Sequence, residues 1–257
     1  HTSTRYSNFH KIASGGMKDI FSVDDNHGDR KLAIAKLHED SGSENYETFL
    51  REARLTARLD HPNIIKIHDI GLNEENAPYF TMDLKSGSTL AVALQESLSL
   101  HELLVVFLKI CDAISYAHSQ GVIHLDLKPD NIQIGEYGEV LVCDWGLGKI
   151  IDDNKFSDDN TTGSYVLNDV TLHGHIKGTP GFMAPEQIEG NPKTATTDIF
   201  SLGALLYNIL SKQKPYSGSV DEILKHTTCS APQLPSKVSD RYIPQSLEAV
   251  VLKAMAI

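Results

Sequence analysis

Six consecutive positions, Asp126-Leu127-Lys128-Pro129-Asp130-Asn131, bring a carboxylate, an ammonium group and an amide close together just ahead of a β-like run. These group types suit phosphoryl transfer. A hydroxyl nucleophile must give up its proton, and Asp126 offers the acceptor. The moving phosphoryl carries negative charge, which Lys128 can balance, and a hard cation needs an oxygen such as that of the Asn131 side chain. Asp-x-Lys-x-x-Asn is common by chance, so alone it defines no function. A second carboxylate, Asp144, closes the apolar run Val140-Leu141-Val142-Cys143 and precedes Trp145-Gly146. At a strand end facing a cleft it is suited to hold a hard cation through oxygen. After a long polar segment comes Gly178-Thr179-Pro180-Gly181-Phe182-Met183-Ala184-Pro185-Glu186.

In this order the three pieces resemble the eukaryotic-like protein kinase family, and most closely its bacterial Ser/Thr members. The likeness begins near residue 9 and runs to the end of the chain. Leu125 stands where the His-Arg-Asp signature has Arg, and Trp145 where Asp-Phe-Gly has Phe. The resemblance implies a set of roles. Lys36, at the end of an apolar strand, grips the α- and β-phosphates of ATP, and Glu52 orients it. Thr179 bridges toward Asp126 and Lys128, which points to Ser/Thr substrates. Asn131 and Asp144 hold one or two Mg²⁺, with Mn²⁺ as an alternative. The nucleotide pocket is formed by Ile12, Gly15, Gly16, Ile20, Met82, Gln133 and the backbone of Asp83 and Leu84. Asp198 braces the catalytic loop, and Glu186 pairs with an arginine of a later helix, which the chain does not reach before Ile257. Each residue also has a plainer reading: an edge lysine with its head in water, a glutamate on a solvated helix face, apolar side chains in ordinary core. The family spacing favours the functional one.

Three departures carry expectations of their own. The loop pattern Gly-x-Gly-x-x-Gly-x-Val appears as Ala13-Ser14-Gly15-Gly16-Met17-Lys18-Asp19-Ile20. Glycines there let backbone N–H groups approach phosphates, so Ala13 and Lys18 should weaken ATP binding, and replacing both by Gly should tighten it. Lys18 itself reads as a solvated lysine in preference to a compensating charge. Ile34, two before Lys36, stands where the family has Ala, and Gln133 where it has an apolar residue, which predicts a tighter and more polar pocket. Leu125 offers no donor to a phosphorylated activation-segment residue, and Asp152, Asp153, Asp158, Asp159 and Asp169 already make that segment acidic. Activity is therefore not expected to depend on phosphorylation between Lys155 and Thr171.

The elements that must position these groups are legible as a change of period. Phe9–Ser14, Asp19–Val23, Lys31–Leu37, Ile64–Ile70 and Tyr79–Leu84 read as strands, with an amphipathic helix from Glu44 to Leu59. After Lys85-Ser86-Gly87-Ser88 the period becomes helical. Capping boxes open helices at Ser99 and Ser219, Thr197–Leu210 is apolar nearly all round, and Leu247–Ile257 is helical. An α+β, two-lobed protein-kinase-like fold follows, with a nucleotide-binding β lobe over residues 1–84 and a helical catalytic lobe over 85–257.

With 257 residues and 40% hydrophobic content the chain can bury a sizeable core. A net charge of −11 argues against a nucleic-acid surface, which needs a basic stripe. Three cysteines, far apart, form neither a disulfide framework nor a zinc motif and fit a reducing cytoplasm. The longest nearly apolar run, Ile199–Leu210, is shorter than the ~20 residues of a membrane span. A chain starting at His1 reads as an excised domain, and an anchor outside it would be invisible. The expected activity is ATP-dependent phosphorylation of protein Ser or Thr. Alternatives are a nucleotide-binding pseudokinase scaffold, suggested by the eroded loop, and a small-molecule kinase of the aminoglycoside type, which lacks a counterpart to Thr179–Glu186.

Overall fold

The computed structural model describes residues 5–38, 42–84, 86–96, 98–151 and 178–256. Strands β1 (Tyr6–Ser14), β2 (Lys18–Asp25), β3 (Arg30–Leu37), β4 (Ile67–Leu72) and β5 (Pro78–Asp83) form one antiparallel sheet in the order β1-β2-β3-β5-β4. Helix α1 (Ser43–Ala57) is inserted between β3 and β4.

The strand period of two sorts β3 into two faces. Leu32, Ile34 and Lys36 share one face, and Ala33, Ala35 and Leu37 the other. Ala35 lies opposite Ile20 of β2 and Phe80 of β5, whereas Lys36 lies opposite Asp19 and Tyr79. Helix α1 covers the alanine face: Phe49 and Ala53 join Ala35, Leu37 and Phe80 in one cluster, with the Phe49 and Phe80 rings 4.9 Å apart. On the other face Val23, Leu32 and Ile34 pack beneath Tyr6, Phe21 and Tyr79. Burial on both faces explains why Leu32–Leu37 is apolar nearly throughout instead of alternating.

The second lobe comprises β6 (Ser88–Thr89), α2 (Leu90–Ala93), α3 (Leu100–Ser119), β7 (Val122–Ile123), a 3₁₀ turn (Pro129–Asn131), β8 (Ile132–Ile134), β9 (Val140–Val142), β10 (Lys149–Ile150), α4 (Pro185–Ile188), α5 (Ala195–Ser211), α6 (Val220–Cys229), α7 (Pro235–Val238) and α8 (Gln245–Ala254). Capping boxes open α3 at Ser99/Glu102 and α6 at Ser219/Glu222, as their spacing predicts. Helix α5 is buried on every side from Phe200 to Ser211, in line with its composition, with Ile199 exposed near its start, and the buried residues include the carboxylate of Asp198.

Several boundaries differ from the sequence reading: β1 starts at Tyr6 and not at Phe9, α1 ends at Ala57 and not at Leu59, and β4 and the last helix differ as well. Residues 64–66 do not belong to β4: Ile64 bridges in parallel to Val142, and the Ile65 N–H donates to the Val142 carbonyl at 3.1 Å. Ile64 and Ile65 are thus drawn off the sheet to join the two lobes, while the Lys66 carbonyl still accepts the Asp83 N–H at 3.2 Å. The last helix ends at Ala254, short of the expected Ile257.

Helix α1 is held on the sheet chiefly through Phe49, which is fully buried. Phe49→Ala should destabilise the protein by about 3–5 kcal/mol, while Phe49→Leu should cost under about 1.5 kcal/mol. Urea denaturation of the two variants beside the parent checks both.

Candidate active site

The catalytic loop hangs from one buried carboxylate. Asp198 is 0% exposed and accepts from the backbone N–H of His124 at 2.8 Å and of Leu125 at 2.9 Å, with His118 Nε2 also at 2.8 Å. These bonds hold Leu125 at φ +67°, a left-handed conformation unfavourable for a residue with a Cβ. The Leu125 carbonyl is held in turn by Gln187 Nε2 at 2.9 Å, which ties α4 to the loop. Buried His124 accepts the Asp126 N–H at Nδ1, so the proton sits on Nε2, which donates to the Cys143 carbonyl at 3.1 Å. Its ring lies 4.5 Å from that of Trp145, which is packed in the main core together with Leu55 of α1.

The loop brings Asp126, Lys128 and Asn131 to one place, where Thr179 from the 178–184 segment meets them. Lys128 Nζ lies 2.8 Å from both Asp126 Oδ2 and Thr179 Oγ1, and Thr179 Oγ1 donates to Asp126 Oδ1 at 3.1 Å. Asn131 Nδ2 donates to the Asp126 carbonyl at 2.8 Å and to its Oδ2 at 3.1 Å, which directs the amide oxygen away from Asp126. The 3₁₀ turn sets the Asn131 position, and its Pro129 supplies a fixed φ at the turn's start. Asp144, at φ +61°, is about half exposed. Asn131 and Asp144 together offer one amide oxygen and one carboxylate. That is the open donor set of a cation completed by phosphate oxygens and water. Among the described residues no group of three or more His, Cys, Asp or Glu is placed to hold a metal ion.

Lys36 does not reach Glu52, contrary to the sequence expectation. Its Nζ lies 4.1 Å from the Phe9 ring centroid and 5.8 Å from that of Phe21, on the face away from α1. The lysine paired with Glu52 is Lys18, the first residue of β2. The pleat is the cause: Lys18, opposite Leu37, shares the alanine face, whereas Lys36 has the opposite parity. Lys18 is therefore not a solvated lysine. Its side chain is 16% exposed, and its ammonium also lies 3.5 Å from Asp144 Oδ1. Burial works against that charge, but Glu52 and Asp144 outweigh it and raise the Lys18 pKa. Burial raises the Glu52 carboxyl, and Lys18 pulls it part of the way back. Glu52 Oε2 is buried without a hydrogen-bond partner.

The same parity corrects the pocket. Ile34 packs on the face away from α1, and Ala33, opposite Met82, lies on the α1 face, so Ile34 is not directed at the expected pocket. Ile20 and Met82 pack against the cluster containing Ala35 and Phe80. Ile12 is exposed on β1, and Gly15 and Gly16 lie at the exposed tip before Lys18, with the Gly15 N–H donating to the Lys18 carbonyl at 2.9 Å. Asp83 sends its carboxylate to His68 Nε2 at 2.7 Å, Leu84 follows half-buried, and Lys85 lies outside the described residues. Gln133, on β8, lies opposite Leu141 and Thr89. Glu186 accepts from Thr197 Oγ1 and lines a hollow of about 330 Å³ with Phe200 and Lys253. The phosphorylation expectation between Lys155 and Thr171 concerns residues outside those described.

Sequence reasoning missed Lys18, Gln187 and Arg51, whose guanidinium donates to the Gly148 carbonyl at 3.1 Å and ties α1 to the second lobe. Lys18 could have been found by counting the pleat from Ala33: the next residue on that face is Ala35, which leaves β3 with no lysine directed at α1.

The catalytic-loop geometry and the two-lobed fold define a protein kinase. The family model described as a protein kinase domain matches residues 6–249, and the chain belongs to that family. Among its relatives, the Serine/threonine-protein kinase PknD of Protochlamydia amoebophila is 36% identical over 98% of this chain. The proteins of the same name from Chlamydia caviae and Chlamydia trachomatis serovar D are each 34% identical over 98% of it. The chain spans 28–29% of the length of these relatives.

Two predictions follow from the buried charges and thiols. Lys18→Met strands Glu52 and should destabilise the protein by about 3 kcal/mol or more, against under about 1 kcal/mol for Lys36→Met. Without its partner, the Glu52 carboxyl rises further above its unfolded value, and a raised carboxyl costs stability once it must ionise. The Lys18→Met deficit should therefore be smaller near pH ~5 than near pH ~8, measured by denaturation at both. Burial pushes the Cys111 thiol up to about 11 and, with the Asp144 charge adding, Cys143 up to about 12. Alkylation of the native protein at mildly alkaline pH should modify exposed Cys229 first, as peptide mapping would reveal.

Proposed function

We propose that this domain transfers the γ-phosphoryl group of ATP to a Ser or Thr hydroxyl of a protein substrate. The observation that carries it is the Asp126 carboxylate, oriented by Lys128, Asn131 and Thr179, on a loop fixed by Asp198. Asp126 takes the proton as the substrate oxygen bonds to the γ-phosphorus. The bond from that phosphorus to the β,γ-bridging oxygen breaks, and the electron pair leaves with ADP. Lys128, bonded to both Asp126 and Thr179, balances charge on the transferring group. Kinases of this family use ATP with a divalent cation. Here Asn131 and Asp144 would hold it, Mg²⁺ or Mn²⁺, and it would neutralise phosphate charge.

The Lys128–Thr179 bond and the names of the PknD relatives support Ser/Thr substrates. A net charge of −11 argues for protein and against nucleic-acid partners, and three free thiols fit a cytoplasmic setting. No helix among the described residues is long and apolar enough to cross a membrane. The departures in the nucleotide loop favour the pseudokinase alternative. Against it stand Asp126 and Asn131 in a pre-ordered loop and Asp144 just after β9.

Incubation with γ-labelled ATP, Mg²⁺ and a generic protein substrate should transfer label to Ser or Thr. Asp126→Asn should lower kcat by about 100-fold or more, as loss of a general base does. Equal labelling by parent and variant, or none by either, would count against the assignment. Asp144→Ala should also make the ATP-induced thermal shift the same with and without Mg²⁺.

A further inference from the structure

We infer that Lys18, on the second strand, is the lysine that anchors the nucleotide phosphates in this chain, and that Lys36, on the third strand, takes no part in binding them. The inference deepens the phosphoryl-transfer reading and rests on it.

Four observations carry it. First, parity: Lys18 shares its sheet face with Ala33, Ala35 and Leu37, the face on which α1 is packed, whereas Lys36 projects from the other. Second, partners: the Lys18 ammonium bridges Glu52 of α1 and Asp144, the carboxylate assigned to the cation. A polyphosphate coordinated by that cation meets Lys18. The Lys36 ammonium is occupied by the faces of Phe9 and Phe21. Third, the position left open: Ala35, fully buried on the α1 face, has a methyl where a third-strand lysine would have to start, so the strand offers no competing ammonium. Fourth, the loop: Lys18 follows the exposed Gly15-Gly16 tip and the partly buried Met17, and its carbonyl accepts the Gly15 N–H at 2.9 Å. The anchoring cation is thus part of the loop that covers the phosphates.

This reverses the expectation that Lys18→Gly would improve nucleotide binding. The ammonium is a compact donor of three N–H bonds, and one is committed to Glu52. A second is directed at Asp144 Oδ1, 3.5 Å away, which leaves the third to meet phosphate oxygens beside it. The role is electrostatic, with no covalent step at Lys18.

The test separates binding chemistry from turnover. An adenosine carrying a fluorosulfonylbenzoyl group on its 5′ oxygen places an electrophilic sulfur where the phosphates of ATP would lie. A lysine amine attacks that sulfur and fluoride leaves. Peptide mapping of the labelled parent protein should find the sulfonamide on Lys18 and not on Lys36, with labelling suppressed by ATP and Mg²⁺. In the transfer assay, Lys18→Met should lower kcat by about 100-fold or more. Lys36→Met should stay within about twofold of the parent. Adding Ala35→Lys to the Lys18→Met variant should return much of the lost rate, because an ammonium then starts from the same face. Label on Lys36, or a large loss in Lys36→Met with Lys18→Met near parental activity, would overturn the inference. Should Lys18→Met not fold, the labelled position in the parent and in Lys18→Arg decides. Equal transfer by parent and Asp126→Asn would sink the kinase reading itself, and the labelled position would still settle which lysine faces the nucleotide.

Discussion

The ion pair of Lys18 and Glu52 joins three elements: the start of β2, the middle of α1 and the strand end that carries Asp144. Taking both charges out of water is costly, and their attraction returns that cost only where the geometry is tight and further hydrogen bonds are available. Glu52 has an unpartnered buried oxygen, so Lys18 bears nearly all of that compensation. Such a pair does little for net stability. What it does is specify position, since α1 cannot rotate or slide along the sheet without stranding a buried carboxylate. Phe49 and Ala53 fix the height of the helix above the sheet, and the ion pair fixes its register.

A second buried carboxylate performs the same service in the other lobe. Asp198 lies in a helix apolar on every side, where an unpaired charge would be unfavourable by several kcal/mol, about 3–5 for a broken pair. It is satisfied by two backbone N–H groups and His118. Those bonds hold Leu125 left-handed, and this turn of the chain sends His124 inward and Asp126 toward the cleft. Arginine is not needed at Leu125 for that geometry, because the loop is held by its backbone and not by that side chain. Leu125 is buried, which adds apolar packing where an arginine would need a partner for its charge.

The parts of the site that were legible in sequence are those set by short spacing. Asp126, Lys128 and Asn131 fall within one turn, so their mutual distances follow from local geometry. The capping boxes at Ser99 and Ser219 are likewise local. What was not legible depends on strand parity over longer range. Lys36 and Lys18 differ by one step of the pleat, and a one-residue shift moves a side chain to the opposite face of a sheet. Both faces of β3 are buried, so the hydrophobic pattern of Leu32–Leu37 does not reveal which is the cleft side. The packing of α1 decides that, and in sequence only the placement of Ala33 and Ala35 hints at it. The 64–66 stretch misled for a similar reason: its apolar residues fit a strand equally well whether they pair with β5 or with β9.

Two of the departures in the nucleotide-binding loop and in β3 become one change when the lysine is traced. An ammonium is missing from the alanine face of the third strand, and one is present on the same face at the start of the second, where the loop pattern has its last glycine. Loss of that glycine and loss of the third-strand lysine are complementary, because a side chain at residue 18 is what reaches Glu52. Gly15 and Gly16 remain ahead of it, and the N–H of Gly15 is tied to the Lys18 carbonyl, so the tip is anchored to the strand that bears the charge. A loop in decay would be expected to lose charge and geometry independently. Here the charge is buried, paired and directed toward Asp144, which favours a domain that still handles phosphate over a scaffold that has ceased to. It also follows that the loop and α1 are mechanically joined, since any displacement of residues 15–18 pulls on Glu52.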